Sequence, residues 1–224
     1  MGKKNHRAVC AAAGVVILIF AGLIYAWSVL STPIAADFPE WSKAQLSLTF
    51  TIVMVVFCLG QLLCGAFAGK TQPRTNVRVA ALLFVTGFFL TSRTNSIATL
   101  YLGFGVFGGL GSGLAYNAVM SSVTKWYPDK PGFISGVLLM GFGLGSFVIG
   151  KLYQMFTPST TGAWRSSVLL LGAMIFAVFL ICSFFIRRPE PEDTLCRIPF
   201  LLISGEQILA GNLLTAVGNK IDPI

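Results

Sequence analysis

Charged side chains are scarce in this chain, and their scarcity decides the class of protein. Only 11% of the 224 residues are charged, whereas 55% are hydrophobic and the mean hydropathy is +0.79. A soluble globular domain carries about 25% charged residues, because its surface must face water. Much of the surface of this chain must therefore face an apolar medium, which excludes an ordinary soluble domain.

Histidine is scarcer still, since His6 is the only one. No H-E-x-x-H, G-x-S-x-G or P-loop pattern occurs, and the serines and threonines of the apolar runs have no histidine or acidic partner to activate them. Gly103-x-Gly105-x-x-Gly108 matches the dinucleotide fingerprint on paper, but it lies inside an uncharged helix candidate instead of a strand–turn–helix unit. We therefore expect no catalytic residue, no metal site and no cofactor, and we expect that the chain is not an enzyme.

Six apolar stretches are long enough to cross a bilayer, which takes roughly 20 residues. Each must be helical, because an isolated span has no other way to satisfy its backbone in lipid. The predicted spans are residues 8–30, 45–68, 79–92 (beginning near Asn76, with Arg78 reaching the headgroups), 97–123, 132–156 and 166–186. The sequence predicts an all-α integral membrane bundle over residues 1–188, followed by a short tail, 189–224, that does not span.

Lysine and arginine are unevenly distributed between the predicted loops. Up to residue 188, ten would lie on one side of the membrane and four on the other. The positive-inside rule puts the more basic side in the cytoplasm. We therefore expect a multi-pass protein of the cell membrane with both ends of the six-helix unit in the cytoplasm. The net charge of +8 then serves orientation in the lipid bilayer, and we expect no nucleic-acid partner.

Glycine recurs at close, mostly four-residue spacing in two of the predicted spans. Small residues at this spacing let helix backbones approach closely in lipid. Static packing explains the pattern, and so do smooth faces that slide or rock during alternating access. The sequence does not separate these two roles, packing or gating, for Gly105, Gly109, Gly113, Gly132, Gly136, Gly141 and Gly145.

A short internal repeat relates the first and fourth predicted spans. Gly22-Leu23-Ile24-Tyr25-Ala26 echoes Gly113-Leu114-Ala115-Tyr116-Asn117, although chance explains so short a match equally well. An inverted three-plus-three repeat would make Tyr25 and Tyr116 equivalent residues of one central cavity. Gln61 and Asn117 are amide side chains well inside the spans, and they either line the same cavity or form hydrogen bonds between helices.

Several motifs resemble the oxalate:formate antiporter-like family of the major facilitator superfamily. They are Ile24-Tyr25-Ala26-Trp27-Ser28-Val29, Gly111-x-Gly113-x-x-Tyr116, Lys125-Trp126-Tyr127-Pro128-Asp129-Lys130-x-Gly132 and Gly141-x-Gly143-x-Gly145. The loop 65–74 is similar to the superfamily signature, although Gly69 stands where an acidic residue is usual and Gln72 where a glycine is usual. The resemblance covers about residues 7–188, and it implies the amino-terminal half of a twelve-helix fold built as a three-plus-three inverted repeat.

The resemblance implies a secondary transporter, or half of one, that exchanges small organic anions such as oxalate, formate or other monocarboxylates by alternating access. Tyr25 and Tyr116 would form the aromatic wall of the substrate cavity. The cytoplasmic loops would carry Lys70, Arg74, Lys125, Asp129 and Lys130.

In such a family the basic residues that neutralise the anion come from the other six helices. The partner would then be a second six-helix half or a second copy of the chain. The alternative is a non-transporting membrane protein, the product of a truncated, split or frameshifted gene, or an assembly partner that lacks the second half.

Overall fold

The computed structural model describes residues 3–67, 70–157 and 162–187, with side chains described from His6 onward. Within these ranges the fold is all-α and contains no strand. Six helices are long and apolar enough to cross a membrane, and we number them in chain order as spans: His6–Asp37, Lys43–Ala66, Pro73–Ser92, Ile97–Trp126, Pro131–Phe156 and Ala163–Ser183. The predicted six-span all-α architecture is confirmed, whereas the predicted tail, 189–224, lies outside the described residues.

Span boundaries differ from the prediction mainly where polar residues continue a helix. The first span runs on to Asp37 instead of ending at residue 30, and it contains Pro33 within its last turns. The third span begins at Pro73, earlier than predicted. Proline suits the first helical position, because the N–H that it lacks would have no partner within the helix. The sixth span is displaced toward the N-terminus and begins at Ala163.

Local sequence accounts for where the helices begin. Ser42 and Gln45 form a capping box, in which the Ser42 hydroxyl accepts from the Gln45 N–H and the Gln45 side chain accepts from the Ser42 N–H. The fifth span begins with Pro131, as the third begins with Pro73. Gly162 precedes the sixth span with a φ of +77°, a left-handed conformation that favours glycine.

Two spans depart from regular α-helical geometry. The first span tightens to a 3₁₀ helix over Gly22–Ala26, and the fourth widens to a π-helix over Tyr101–Gly108. The G-x-G-x-x-G pattern thus lies inside a helix, where it cannot act as a dinucleotide loop. Tyr25 lies in the 3₁₀ segment, so the tightened turn sets the direction of its side chain.

The spans pack in pairs that follow an internal symmetry. The first span packs against the fifth, the second against the fourth, and the third against the sixth. An inverted repeat makes the first span equivalent to the fourth, the second to the fifth and the third to the sixth. This exchange turns the contact of the first span with the fifth into that of the fourth with the second, and it leaves the contact of the third with the sixth unchanged. Spans one and four cross the bundle in opposite directions, so these three interfaces have the contact pattern of an inverted three-plus-three repeat. The third span packs as extensively on the fourth, and the counterpart of that interface, between the sixth and first spans, is small.

Side chains near Asp37 connect the first, third and sixth spans at one end of the bundle. The Trp164 indole Nε1 donates to Asp37 Oδ2 at 2.6 Å, and the Gly162 N–H donates to Asp37 Oδ1 at 3.3 Å. The Arg165 guanidinium donates to the Ser92 carbonyl oxygen at 3.1 Å and to Asn95 Oδ1 at 3.2 Å. These bonds fix the entry to the sixth span.

Candidate functional site

Tyr25 and Tyr116, the two tyrosines of the sequence repeat, meet at a common aromatic neighbour. The Tyr25 ring lies edge-on to the Phe142 ring with centroids 5.4 Å apart. The Tyr116 ring lies 5.0 Å from the same Phe142 ring. Tyr25 is 43% exposed and Tyr116 is half-buried, so both side chains belong to the accessible side of the cluster.

Phe57 of the second span completes the cluster. Its ring stacks on Phe142 with centroids 5.7 Å apart and an interplanar angle of 17°. It also lies edge-on to Tyr116 at 5.6 Å, which matches the 5.4 Å edge contact between Tyr25 and Phe142. We call Tyr25, Phe57, Tyr116 and Phe142 the aromatic quartet. One residue comes from each of the first, second, fourth and fifth spans.

Glycine contacts behind the quartet repeat the same symmetry in the backbone. A methyl group at Gly22 would collide with the Phe142 carbonyl oxygen, and a methyl group at Gly113 would collide with the Phe57 carbonyl oxygen. Gly22 and Gly113 hold the same position in the sequence repeat, three residues before the tyrosines. The contact that each makes with a phenylalanine carbonyl therefore gives the short repeat a structural basis.

The remaining predicted glycines fall into two groups. A Cβ at Gly145 would collide with the Ile19 carbonyl oxygen, and at Gly109 it would lie 2.7 Å from the Val53 carbonyl oxygen. Gly105 and Gly141 are close to side chains, at 2.9 Å from Ile52 Cγ2 and 3.2 Å from Val15 Cγ1 respectively.

Gly132 and Gly136 form the second group. No atom of the described residues would lie within 4 Å of a Cβ at either position. A packing or gating role for this pair stays a prediction.

Asn117 and Gln61 lie together at the interface of the second and fourth spans. The Asn117 amide Nδ2 donates to the Gln61 backbone carbonyl oxygen at 2.9 Å. The Asn117 side chain thus forms a hydrogen bond between helices, and the Gln61 contribution to that bond comes from its backbone. Both residues are partly exposed, and a role in the cavity for the Gln61 side chain stays a prediction.

Arg74 has the most extensive contacts among the predicted loop residues. Its Nε donates to the Ile186 carbonyl oxygen at 2.9 Å and its NH2 group to the Phe184 carbonyl oxygen at 2.8 Å. These carbonyls follow the end of the sixth span, where backbone acceptors lack intrahelical donors. Arg78, expected to reach the headgroups, instead donates to Ser183 Oγ at 3.3 Å. Both arginines therefore tie the third span to the sixth.

The loop between the fourth and fifth spans contacts the first span at the same end of the bundle. An Arg7 NH2 group lies 3.6 Å from Asp129 Oδ2, and the Arg7 guanidinium lies 4.5 Å from the centroid of the Tyr127 ring. Lys70, Lys125 and Lys130 are exposed. An exposed ion pair of this kind contributes about 0–1 kcal/mol, so this contact orients the loop more than it stabilises the fold.

The chemistry that the quartet offers is neutral. Two phenol hydroxyls can donate hydrogen bonds, and the positive edges of the aromatic rings can contact the oxygens of an anion. The charged side chains of the described spans lie toward the span ends, among them Arg78, Lys151 and Arg165. The six spans thus present donors and ring edges at their centre without a cation beside them.

Phe57 and Phe142 were not predicted as site residues, although the sequence contains a signal for them. Phe57-Cys58-Leu59-Gly60 and Phe142-Gly143-Leu144-Gly145 share the pattern Phe-x-Leu-Gly in the second and fifth spans. These are the two spans that an inverted repeat makes equivalent. In the repeat Gly60 corresponds to Gly145, and Leu110 corresponds to Ile19. A Cβ at Gly60 would lie 2.8 Å from the Leu110 carbonyl oxygen, and a Cβ at Gly145 would collide with the Ile19 carbonyl oxygen.

This chain is similar to known proteins that include membrane transporters. It is 32% identical over 185 residues to an uncharacterised 38 kDa protein in the 23S RNA operon of Thermoproteus tenax, covering 82% of this chain and 48% of that protein. It is 27% identical over 198 residues to monocarboxylate transporter 13 of Rattus norvegicus, covering 82% of this chain and 45% of that protein. It is 25% identical over 176 residues to the oxalate:formate antiporter of Oxalobacter formigenes, covering 78% of this chain and 41% of that protein.

The chain spans less than half the length of each of these relatives. The family model of the Major Facilitator Superfamily matches residues 12–216, which reaches beyond residue 188, the limit that the sequence motifs gave. With the six-span bundle and its paired contacts, this match shows that the chain belongs to the Major Facilitator Superfamily.

Proposed function

We propose that the chain is a secondary transporter, or half of one, for small organic anions such as oxalate, formate or other monocarboxylates. The aromatic quartet is the observation that carries this proposal. It draws one side chain from each of four spans, it lies where the internal symmetry brings those spans together, and it leaves Tyr25 exposed and Tyr116 half-buried. The names of the oxalate:formate antiporter and the monocarboxylate transporters among its relatives support the choice of carboxylate.

A small carboxylate suits the quartet because it is flat and accepts hydrogen bonds. The Tyr25 and Tyr116 hydroxyls can donate to its oxygens, while ring edges contact its plane. Removing a carboxylate from water is costly unless a cation is nearby. The neutral centre therefore favours a partner that supplies the positive charge, either a second six-helix half or a second copy of the chain.

We propose that the protein spans the cell membrane with both ends of the six-helix unit in the cytoplasm. The basic end of the bundle carries Arg7, Lys70, Arg74, Lys125 and Lys130, as the positive-inside rule requires of a cytoplasmic face. A single cysteine placed at Lys125 should react with an impermeant maleimide only from the inside of the cell. A cysteine at Glu40 should react only from outside, and the reverse result would refute the orientation.

Counterflow tests the transport activity directly. Proteoliposomes containing the 224-residue chain and loaded with unlabelled oxalate should take up labelled oxalate or formate. Tyr116→Ala should abolish the uptake, whereas Tyr101→Ala removes a partly exposed tyrosine outside the quartet and should retain it. Tyr116→Phe, compared with Tyr101→Phe at the far end of the same span, separates the hydroxyl from the ring.

The same assay decides whether the chain works alone. Uptake that appears only when a second polypeptide is added favours the assembly-partner alternative. Size-exclusion chromatography with light scattering in mild detergent should show a dimer if a second copy completes the site. A stable monomer that transports would contradict the need for a partner.

A further inference from the structure

Phe142 and Phe57 form the floor of the aromatic quartet. Phe142 is 5% exposed and Phe57 is 8% exposed, in contrast to 43% for Tyr25. The two phenylalanine rings stack on each other, and each supports a tyrosine by an edge contact. A ligand that approached the exposed Tyr25 and the half-buried Tyr116 would therefore meet the buried phenylalanine stack behind them.

The floor has little freedom to retreat, because its backbone is in tight contact with neighbouring helices. The Phe142 carbonyl lies against Gly22, and the Phe57 carbonyl lies against Gly113, in both cases too close for a methyl group. Within a close-packed interior, side chains yield only slightly to added volume. The depth of the site is thus set by the size of the two rings more than by movement of the second and fifth spans.

We propose that Phe142, assisted by Phe57, is the residue that limits the size of the carboxylate that the site accepts. This inference rests on the proposed function and adds its specificity determinant. Phe142 contacts both tyrosine rings and Phe57, so its truncation opens space directly beside the two tyrosine rings. Truncation of a large buried side chain can leave an apolar cavity large enough to bind benzene. An aryl carboxylate such as benzoate would then place its ring in that space and its carboxylate at the tyrosines.

The test compares competition by benzoate and by formate for oxalate counterflow, with the partner present if the chain requires one. In Phe142→Ala the ratio of benzoate affinity to formate affinity should rise at least about tenfold over the wild-type ratio, the scale of discrimination that small volume changes in apolar pockets produce. Phe179→Ala is the matched control. Phe179 of the sixth span is also a fully buried aromatic residue. Its ring makes an edge contact with Phe84 of the third span, outside the quartet. Its ratio should equal the wild-type ratio.

The outcomes separate this inference from the function on which it rests. An unchanged ratio in Phe142→Ala, or an equal rise in Phe179→Ala, overturns the size-limiting role while leaving carboxylate transport in place. If the wild-type chain neither binds nor transports any carboxylate, with or without a partner, the proposed function and this size-limiting role are both wrong. Phe142→Leu keeps most of the volume filled, so it should shift the ratio less in the same direction, and it decides the question if Phe142→Ala does not fold.

Discussion

Replacing Gly113 or Gly145 by alanine places a methyl group against the backbone of a neighbouring helix. At Gly113 the methyl carbon would collide with the Phe57 carbonyl oxygen, and it would also lie 3.1 Å from both the Gln61 nitrogen and the Gly60 Cα. At Gly145 the colliding atom is the Ile19 carbonyl oxygen. These are main-chain atoms, so no rotamer change can relieve the overlap.

The magnitude follows from how far the helices must separate. Carbon contacts are optimal near 3.5–4.0 Å, so each helix pair must open by roughly 1 Å or more around the new methyl group. Overpacking of this kind typically costs about 1–3 kcal/mol. Alanine is a better helix former than glycine by about 1 kcal/mol, which offsets part of the cost. We expect a net loss of up to about 2 kcal/mol for Gly113→Ala and for Gly145→Ala.

Gly136→Ala on the fifth span is the matched control, because a Cβ there has no described atom within 4 Å. It should be neutral or stabilise the fold by up to about 1 kcal/mol. Unfolding in mixed micelles of mild detergent and dodecyl sulfate, followed by circular dichroism, gives the free energies. Equal stability of the three variants would refute the inference that these glycines bring the helix backbones into contact.

Three further substitutions test individual contacts by the same unfolding assay. Asn117→Ala should lower the free energy of unfolding by about 0.6 kcal/mol and at most about 1.7 kcal/mol, since it removes one hydrogen bond between helices. Gln61→Ala should leave that bond intact, because the acceptor is the Gln61 backbone. Arg74→Ala should cost about 1–3 kcal/mol, and Arg74→Lys should not restore the loss, because one ammonium group cannot reproduce the fork that reaches two carbonyls. Gly162→Ala should cost about 1–2 kcal/mol through its positive φ, and Gly162→Asn less, so an alanine variant as stable as the wild type would contradict the left-handed conformation.

Hydropathy alone predicted the six spans, because the cost of burying charge in lipid acts on whole stretches of sequence. It failed near the ends, where charge and proline compete with packing. The first span continues through Pro33 to Asp37, whose carboxylate accepts a hydrogen bond from Trp164 in the distant sixth span. The tightened turn at Gly22–Ala26 and the π-helix at Tyr101–Gly108 arise within the packed bundle, and no residue pattern within a single span predicts them.

The candidate site could be predicted only in part, for a related reason. Tyr25 and Tyr116 were predicted because the short internal repeat and the antiporter-like motifs both contain them. Phe57 and Phe142 were not predicted, because exposed residues such as Phe133 and Phe147 have the same chemistry. Their contact with the tyrosines depends on the pairing of spans, which single-span periodicity does not contain. The Phe-x-Leu-Gly repeat would have indicated it once the inverted symmetry was applied to the second and fifth spans.

The same symmetry shows how the two glycine-lined pairs of spans are joined to each other. Contacts within each pair, first with fifth and second with fourth, set a glycine directly against a backbone carbonyl, so sliding there would create steric overlap. Between the pairs, the Ser112 hydroxyl donates to the Ala21 carbonyl oxygen at 2.8 Å, and Ser112 and Ala21 occupy equivalent positions of the repeat. A bond of this type between membrane helices contributes on average about 0.6 kcal/mol, so it can break at little cost. The Phe57–Phe142 stack and the Tyr116–Phe142 contact also join the two pairs, so the quartet itself holds the first, second, fourth and fifth spans together.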